Sequence, residues 1–290
     1  MDRQLQAFGG GVAVITGAGS GIGEGLARHA ATLGMKVVLA DISLARIEAV
    51  AAEIRGGGAE TLTVETDVCD PAALDRLAAS VHEHWGDVRL LVNNAGIETL
   101  GFSWELSAAD WERTLGVNIH GVIHGVRAFA PRMIASGKPA YIANVSSIGG
   151  LGMMPLQTSY ILSKHAVLSY SECLSMEMQL INSAVRVSAI LPGLVATRIF
   201  DDAKSSPADM AVQHRGLMHG MLQDAGISPR EAASRILTQI ADGEFWVSTH
   251  PEMTAEFARN RAAHLSGLQR PQVTPELLAI LGKVDGGANT

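Results

Sequence analysis

The chain has little cysteine. Cys69 and Cys173 are the two cysteines among its 290 residues. Two cysteines exclude a fold stapled by a disulfide framework. We therefore expect two free thiols, one beside Asp67-Val68 and one within a helix, and a protein of the reducing cytoplasm.

An excess of basic charge is also missing. The chain has 22 Lys and Arg against 29 Asp and Glu, which gives a net charge of −7, and it has no basic cluster. Proteins that bind nucleic acid neutralise phosphates with clustered basic residues, so no nucleic acid is expected as a partner. The ten histidines have no metal-ligand spacing, and we predict no metal site.

Long apolar runs are absent as well. No stretch is long enough to span a bilayer, and the polar start Met1-Asp-Arg-Gln-Leu-Gln6 differs from a secretion signal. We therefore expect neither a membrane span nor export.

Short apolar runs alternate with helical stretches along the chain. This alternation predicts right-handed crossovers and a parallel sheet. We predict an α/β fold with a doubly wound sheet of seven parallel strands and helices on both faces. Hydrophobic residues make up 47% of the chain, and no linker divides it, so residues 1–290 are predicted to form one domain.

Strands are predicted at 12–16, 36–41, 61–66, 88–92, 140–145, 185–191 and 245–248. Helices are predicted near 24–33, 44–55, 71–85, 108–136, 157–180, 229–241 and 251–265.

A glycine-rich turn, Gly17-Ala-Gly-Ser-Gly-Ile-Gly23, follows the first predicted strand and precedes a helix. This order predicts a phosphate cradle, because a helix N-terminus presents unpaired N–H groups and glycines let the backbone approach a pyrophosphate. The dinucleotide pattern Gly-x-Gly-x-x-Gly does not fit these glycines, so the hypothesis needs further support.

That support comes from Asp41 at the end of the second predicted strand. It lies 24 residues after Gly17, near the position where an acidic residue binds the adenosine ribose. A 2′-phosphate would meet a like charge there, which favours NAD over NADP. A competing interpretation is that Asp41 caps the helix that begins near Ser43, although Ser43 could fill that role itself. An NADP enzyme would need a basic residue at these places, which hold Ala18, Ser20, Asp41 and Ile42.

Tyr160 and Lys164 stand four residues apart within the predicted helix 157–180 and therefore share a face. A fixed positive charge beside a phenol lowers its pKa from about 10 and makes it a usable proton-transfer group. On its own the pair is a weak signal, because such spacing is also typical of an aromatic at a helix edge with a solvated lysine.

Together these motifs resemble those of the short-chain dehydrogenase/reductase family. Residues 16–23 match its Thr-Gly-x-x-x-Gly-x-Gly motif, and residues 93–96 match its Asn-Asn-Ala-Gly element. Asp67-Val68 resembles its adenine-contacting pair, and residues 192–197 resemble its Pro-Gly-x-x-x-Thr nicotinamide segment. The resemblance covers about residues 12–249. It implies a Rossmann fold and hydride transfer between a nicotinamide coenzyme and an alcohol or ketone.

The resemblance also implies the site residues. The implied catalytic residues are Asn118, Ser147, Tyr160 and Lys164. Ser147 and Tyr160 would hold the alcohol oxygen, Tyr160 would take its proton, Lys164 would lower the phenol pKa and bind the nicotinamide ribose, and Asn118 would hold a water. Ser146 is the rival for the serine role, but the family's thirteen-residue spacing to the tyrosine selects Ser147. The implied coenzyme-binding residues are Gly17, Ser20, Gly21, Ile22, Gly23, Asp41, Ile42, Asp67, Val68, Asn94, Ala95, Gly96, Tyr160, Lys164, Pro192, Gly193, Val195 and Thr197.

The substrate pocket is expected to be wide and apolar. In the family, the segment corresponding to about residues 198–228 is a mobile lid, and here it is rich in methionine, which adapts its shape. The competing interpretation is that these methionines are ordinary helix core. Arg198 and Arg215 are nearby, but no arginine stands out as a carboxylate clamp, which favours a bulky neutral secondary alcohol or ketone. The predicted pocket residues are Met153, Met154, Leu194, Phe200 and Met218.

Residues 116–125 and 131–137 resemble bacterial members that oxidise the Cα alcohol of lignin-derived β-aryl ethers. An aromatic alcohol is therefore one substrate hypothesis, and steroid-like or terpenoid alcohols remain open.

The core is predicted at residues 10–250, with an extension at 251–290 that covers a partner's site or packs on its own subunit. A homodimer or homotetramer through helices 108–136 and 157–180 is implied. A non-catalytic dinucleotide sensor is a further alternative, but all four catalytic residues are present.

Overall fold

The structure is a computed structural model and describes residues 3–281. Residues 282–290, which the sequence analysis predicts to be disordered as the final part of the extension, lie outside the described range. The strands are β1 (Val12–Thr16), β2 (Lys36–Asp41), β3 (Thr61–Glu65), β4 (Val88–Asn93), β5 (Thr99–Leu100), β6 (Ala140–Val145), β7 (Val185–Leu191), β8 (Lys204–Ser205) and β9 (Trp246–Ser248). The helices are α1 (Arg3–Phe8), α2 (Gly21–Thr32), α3 (Leu44–Gly56), α4 (Pro71–Trp85), α5 (Ala108–Leu115), α6 (Gly121–Ala135), α7 (Thr158–Leu180), α8 (Asp209–Ala225), α9 (Pro229–Ala241), α10 (Pro251–Ser266) and α11 (Pro275–Leu281).

A seven-stranded sheet in the order β3-β2-β1-β4-β6-β7-β9 forms the centre of the molecule. Every neighbouring pair in it is parallel, as predicted. The strand order reverses between β1 and β4, so the crossovers leave toward opposite edges and open a crevice at the carboxyl ends. The predicted fold class is confirmed.

Two apolar layers cover the faces of this sheet. Because successive strand residues point to opposite faces, Ala13 and Ile15 of β1 pack in one layer, with α2 and α9, while Val12 and Val14 pack in the other, with α4, α6 and α7. Both faces of β1 are therefore buried, which explains why its sequence is a continuous apolar run.

The predicted helix at 108–136 is interrupted. A π-helical turn, Gly116–His120, separates α5 from α6 and carries Asn118. Such turns insert one residue into the helical ladder and are frequent at functional sites. A hydrophobic pattern does not distinguish this insertion from a continuous helix.

Several elements had no sequence prediction. These are α1, α8, α11 and a small parallel sheet of β5 and β8. Two-residue strands are too short to have a periodic pattern. Helix α2 also begins at Gly21 rather than at residue 24. Within residues 3–281, no helix combines the length and hydropathy needed to cross a bilayer.

Candidate active site

A cavity of about 660 Å³ opens at the carboxyl ends of the central strands. Gly17 after β1, Asn94 after β4, Ser147 after β6 and Pro192 after β7 all contribute to its wall. This is the crevice where ligands bind in open parallel sheets.

The glycine turn lies at one end of this cavity. Gly17 and Gly21 have φ of +65° and +55°, which side chains rarely adopt. A Cβ atom on Gly17 would lie 2.8 Å from Ala95 Cα, and one on Gly23 would lie 2.2 Å from the Gly17 carbonyl oxygen. The turn therefore leaves room for a pyrophosphate at the start of α2, whose first N–H groups have no intrahelical partner.

Hydrogen bonds join this turn to the loop after β4. The Asn94 and Ala95 N–H groups donate to Thr16 Oγ1 at 3.0 and 3.1 Å. Asn94 Nδ2 donates to the carbonyl oxygens of Thr16 and Gly17 at 2.9 and 3.2 Å. These bonds give a physical reason for the threonine and asparagine of the two motifs.

Asp41 lies beside the glycine turn. Its carboxylate accepts hydrogen bonds from Gly19 N at 3.0 Å and Ser43 N at 2.9 Å. Ser43 is the N-cap residue of α3 but its side chain makes no capping bond. Asp41 thus organises the turns around the cavity end as well as lining it.

Arg46 is a cavity residue that the sequence analysis missed. Its stem lies against the glycine turn, since a Cβ atom on Gly19 would be 2.8 Å from Arg46 Cβ. Its Nη1 donates to Asp202 Oδ2 of the lid segment at 3.2 Å. A guanidinium group therefore lies at the same cavity end as Asp41. Arg46 lies in the first turn of α3, beyond the residues directly after β2 at which a basic group would indicate NADP.

Tyr160 and Lys164 lie on one face of α7 and both line the cavity. Lys164 Nζ is 5.4 Å from the centre of the Tyr160 ring and donates to the Val145 carbonyl oxygen at 3.0 Å. Burial lowers the pKa of Lys164 to about 8, because an ammonium group is poorly solvated there.

The pKa of Tyr160 differs from the prediction. Burial raises it well above its ordinary value, and the carboxylate of Glu98 raises it further, while a hydrogen bond with Ser147 opposes the change. The direction of this pKa shift is therefore opposite to the lowering expected from Lys164. Desolvation of the phenolate is its largest cause.

The two neighbouring serines have different partners. Ser146 is buried and its hydroxyl donates to the Lys164 carbonyl oxygen at 2.7 Å. Ser147 accepts a hydrogen bond from Gly149 N at 3.0 Å and contacts Tyr160. The geometry therefore favours Ser147 for the serine role.

Asn118 is fully buried in the π-helical turn and does not line the cavity. Its Nδ2 donates to the Ile97 carbonyl oxygen and to Ser163 Oγ, both at 3.0 Å, and its Oδ1 accepts from Ile97 N at 2.9 Å. The side chain is occupied by three protein contacts and fixes the segment after β4 against α7. Of the other predicted residues, Gly23 also lies outside the cavity wall, and the rest contribute to it.

The opposite part of the cavity is mainly apolar. All five predicted pocket residues line it, and Phe200 packs with Leu100, Ala203 and Leu222. Met253 and Phe257 of α10 and Ile280 of α11 also line it and were not predicted. The Ile280 carbonyl oxygen lies 3.0 Å from His214 Nδ1 of α8. Helix α11 therefore packs against α8.

Glu98 and Gln157 are buried polar residues of this cavity wall that were also missed. No motif marks either position. Among residues 3–281, no cluster of three His, Cys, Asp or Glu side chains has the arrangement of a metal site.

The known proteins that this chain resembles, in sequence and in structure, include dehydrogenases. The family model for short chain dehydrogenase matches residues 11–208. The C alpha-dehydrogenase of a Sphingobium species is 29% identical over 91% of this chain and 88% of its own. A short chain dehydrogenase/reductase from Burkholderia phymatum, solved with NAD, is 36% identical with a TM-score of 0.88 over 92% of this chain and 98% of its own. An alcohol dehydrogenase from the archaeon Thermococcus sibiricus, solved with 5-hydroxy-NADP, is 26% identical with a TM-score of 0.68 over 82% and 95%.

Proposed function

Because this chain belongs to the short-chain dehydrogenase family, we propose that it interconverts a bulky secondary alcohol and its ketone with NAD as hydride carrier. The observation that carries the proposal is that Ser147, Tyr160 and Lys164 line the same cavity as the glycine turn. One ligand in this cavity could therefore contact Tyr160, Lys164 and the phosphate-binding turn at the same time.

The cavity residues fit a nicotinamide dinucleotide. The turn at Gly17 and Gly21 would hold the pyrophosphate, and Asp41 would hold the adenosine ribose. Asp67-Val68 would contact adenine, and residues 192–197 would hold the nicotinamide. When bound, the coenzyme supplies the hydride acceptor of alcohol oxidation and the hydride donor of ketone reduction.

Tyr160 is the acid–base group in this proposal. Its raised pKa keeps it protonated at neutral pH, so it donates its proton to a ketone oxygen during reduction. Oxidation requires the phenolate, which Lys164 and the Ser147 hydroxyl stabilise. Ser147 also orients the reacting oxygen by a hydrogen bond.

NAD is the proposed coenzyme because Asp41 would repel a 2′-phosphate. The Burkholderia protein solved with NAD is consistent with this choice. NADP is the second candidate, because Arg46 lies beside Asp41 and could bind a 2′-phosphate if it left Asp202. The Thermococcus protein solved with 5-hydroxy-NADP shows that NADP-type coenzymes occur among similar structures. Initial rates with NAD and NADP at equal concentration discriminate between the two.

The proposed substrate is a secondary alcohol or ketone with a large apolar part, in keeping with the methionine-rich wall. The similarity to the C alpha-dehydrogenase supports aromatic alcohols as the first class to examine.

We further propose one catalytic domain, a cytoplasmic location and a homodimer or homotetramer through α5, α6 and α7. The exposed side chains of Leu162, Met176 and Leu180 on α7 support such contacts.

A panel of aromatic, alicyclic and steroid alcohols, followed by NADH absorbance, tests the proposal. Turnover by the wild type and its loss in Tyr160→Phe, with NAD binding retained, would support it. NAD binding without turnover of any alcohol or ketone would instead favour a dinucleotide sensor.

A further inference from the structure

Glu98 and Gln157 are polar side chains buried in the cavity wall. Glu98 is 2% exposed and Gln157 is 5% exposed. Their polar atoms are thus withdrawn from bulk water, and a buried polar group without a partner is destabilising.

The carboxyl group of Glu98 is only partly satisfied. One oxygen, Oε1, accepts a hydrogen bond from Thr99 N at 3.1 Å. Among the described residues, no hydrogen bond or ion pair engages the other oxygen. Burial raises the pKa of Glu98 well above its ordinary value, while Lys164 acts in the opposite direction. The carboxyl group therefore resists charging and retains hydrogen-bonding capacity toward the cavity.

The side-chain amide of Gln157 has no hydrogen bond to any residue in the described range. Gln157 precedes α7 as its N-cap residue, yet its side chain makes no capping bond. An amide group offers two hydrogen-bond donors and an acceptor, so all of these groups remain available to a ligand.

The segments that carry the two residues are joined directly. Gly101 N donates to the Leu156 carbonyl oxygen at 2.8 Å, and Ser159 Oγ donates to the Thr99 carbonyl oxygen at 3.3 Å. Glu98 is also close enough to raise the pKa of Tyr160. Both polar groups thus lie near the reacting end of the cavity.

Their position is on the substrate side rather than the coenzyme side. Glu98 directly precedes β5, which pairs with β8 of the lid segment. Gln157 follows the loop of Met153 and Met154, which line the apolar part of the cavity. The glycine turn and Asp41 lie at the other end, beyond β1 and β2.

We propose that Glu98 and Gln157 form a polar subsite that binds a second hydroxyl group of the substrate. This inference rests on the proposed function and narrows its substrate class to secondary alcohols that carry another hydroxyl near the reacting carbon. A hydroxyl both donates and accepts, which matches a carboxyl oxygen beside an amide. An ammonium group would add a second cation next to buried Lys164 and is disfavoured.

The test compares probe alcohols that differ in one group. The probes are 1-phenyl-1-propanol, 1-phenylpropane-1,2-diol, 1-phenylpropane-1,3-diol and 3-amino-1-phenyl-1-propanol. For each enzyme variant, kcat/KM of a diol is divided by kcat/KM of the simple alcohol. This ratio is unaffected by the fraction of correctly folded enzyme.

We expect the wild type to favour one diol by about ten- to hundredfold, the range of a hydrogen bond lost in a buried site. Glu98→Leu and Gln157→Leu should each remove most of this preference. Should Glu98→Leu fail to fold, Glu98→Met, which keeps the length of the side chain without its polar atoms, and Gln157→Leu provide the same comparison. Glu105→Leu is the matched control, because Glu105 is on the same segment but outside the cavity wall, and its ratio should equal that of the wild type.

Equal rates for diols and the simple alcohol in the wild type would overturn the subsite while leaving the proposed function intact. A preference that survives both leucine substitutions would also overturn it. Preference for the amino alcohol over both diols would contradict the hydroxyl assignment. Absence of turnover for every probe and for the wider alcohol panel would reject the proposed function and the subsite together.

Discussion

The glycine-turn side of the cavity is built from backbone, whereas the lid side is built from side chains. On the first side, Thr16 and Asn94 tie two loops of the central sheet together, and glycines prevent steric overlap. On the lid side, methionine, leucine, phenylalanine and isoleucine side chains from α8, α10 and α11 form the wall. The backbone of the glycine-turn side suits a group that is the same in every ligand. The side chains of the lid side can instead adapt to different ligands.

The largest effect is expected from Tyr160→Phe, which removes the phenol oxygen that we propose transfers the proton. Turnover should fall by about 10²- to 10⁴-fold, the usual contribution of acid–base catalysis. The measurement is kcat/KM with the best alcohol of the panel. NAD affinity by calorimetry is the control and should change little. Retention of more than a few per cent of activity would reject the assignment.

A pair of glycine substitutions compares the rigidity of the two sides. Gly23→Ala places a Cβ atom 2.2 Å from the Gly17 carbonyl oxygen, whereas Gly216→Ala on α8 meets open space. The first should lower the free energy of unfolding by about 1–3 kcal/mol, and the second should raise it by about 0.5–1 kcal/mol. Denaturant unfolding of both variants provides the measurement, and equal effects would contradict the comparison.

Asp41→Ala tests coenzyme choice on the glycine-turn side. Loss of a charged hydrogen-bond acceptor for the ribose should weaken NAD binding by about ten- to hundredfold, while NADP binding should improve as the like charge is removed. The ratio of kcat/KM values for NAD and NADP reports both changes. An unchanged ratio would favour the purely structural interpretation, in which Asp41 only holds Gly19 and Ser43.

The pH dependence should reflect the raised pKa of Tyr160. Because the phenolate is scarce at neutral pH, kcat/KM for alcohol oxidation should rise with pH by up to about tenfold per unit. Ketone reduction needs the protonated phenol and should vary little over the same range. An oxidation rate that is flat between pH 6 and 9 would contradict this prediction.

The smallest effect is expected where the two sides meet, in the exposed pair of Arg46 and Asp202. Exposed ion pairs contribute about 0–1 kcal/mol, so Asp202→Asn should change NAD affinity by less than about fivefold. If Arg46 serves NADP, the same variant should improve NADP binding by freeing its guanidinium group. Titration of both coenzymes distinguishes these outcomes.

The glycine-turn side of the cavity was predicted from the sequence more completely than the lid side. The seven-stranded sheet was predicted because short apolar runs alternate with helical stretches along the chain, and the cavity residues of the glycine turn follow from fixed spacing. Arg46 was missed because contact across the turn between β1 and α2 depends on tertiary packing. The direction of the Tyr160 pKa was wrong because helical spacing gives proximity to Lys164 but not the desolvation of the phenol.

On the lid side, sequence patterns were less informative. Met253, Phe257 and Ile280 lie far along the chain from the catalytic residues, and no spacing rule connects them. Glu98 follows the Asn-Asn-Ala-Gly element by two positions, but its burial depends on how β5 meets the lid segment. The methionines were predicted as pocket residues from their abundance and from the position of the family's lid segment, and their place in the wall required the fold.

The contact of α11 with α8 makes the end of the described chain part of the cavity wall. A fusion tag, a truncation or a natural length difference at this end would therefore alter which molecules fit, while the proposed proton-transfer group and phosphate cradle stay in place. Enzyme engineers could exchange this terminal segment between homologues to change selectivity without redesigning the chemistry.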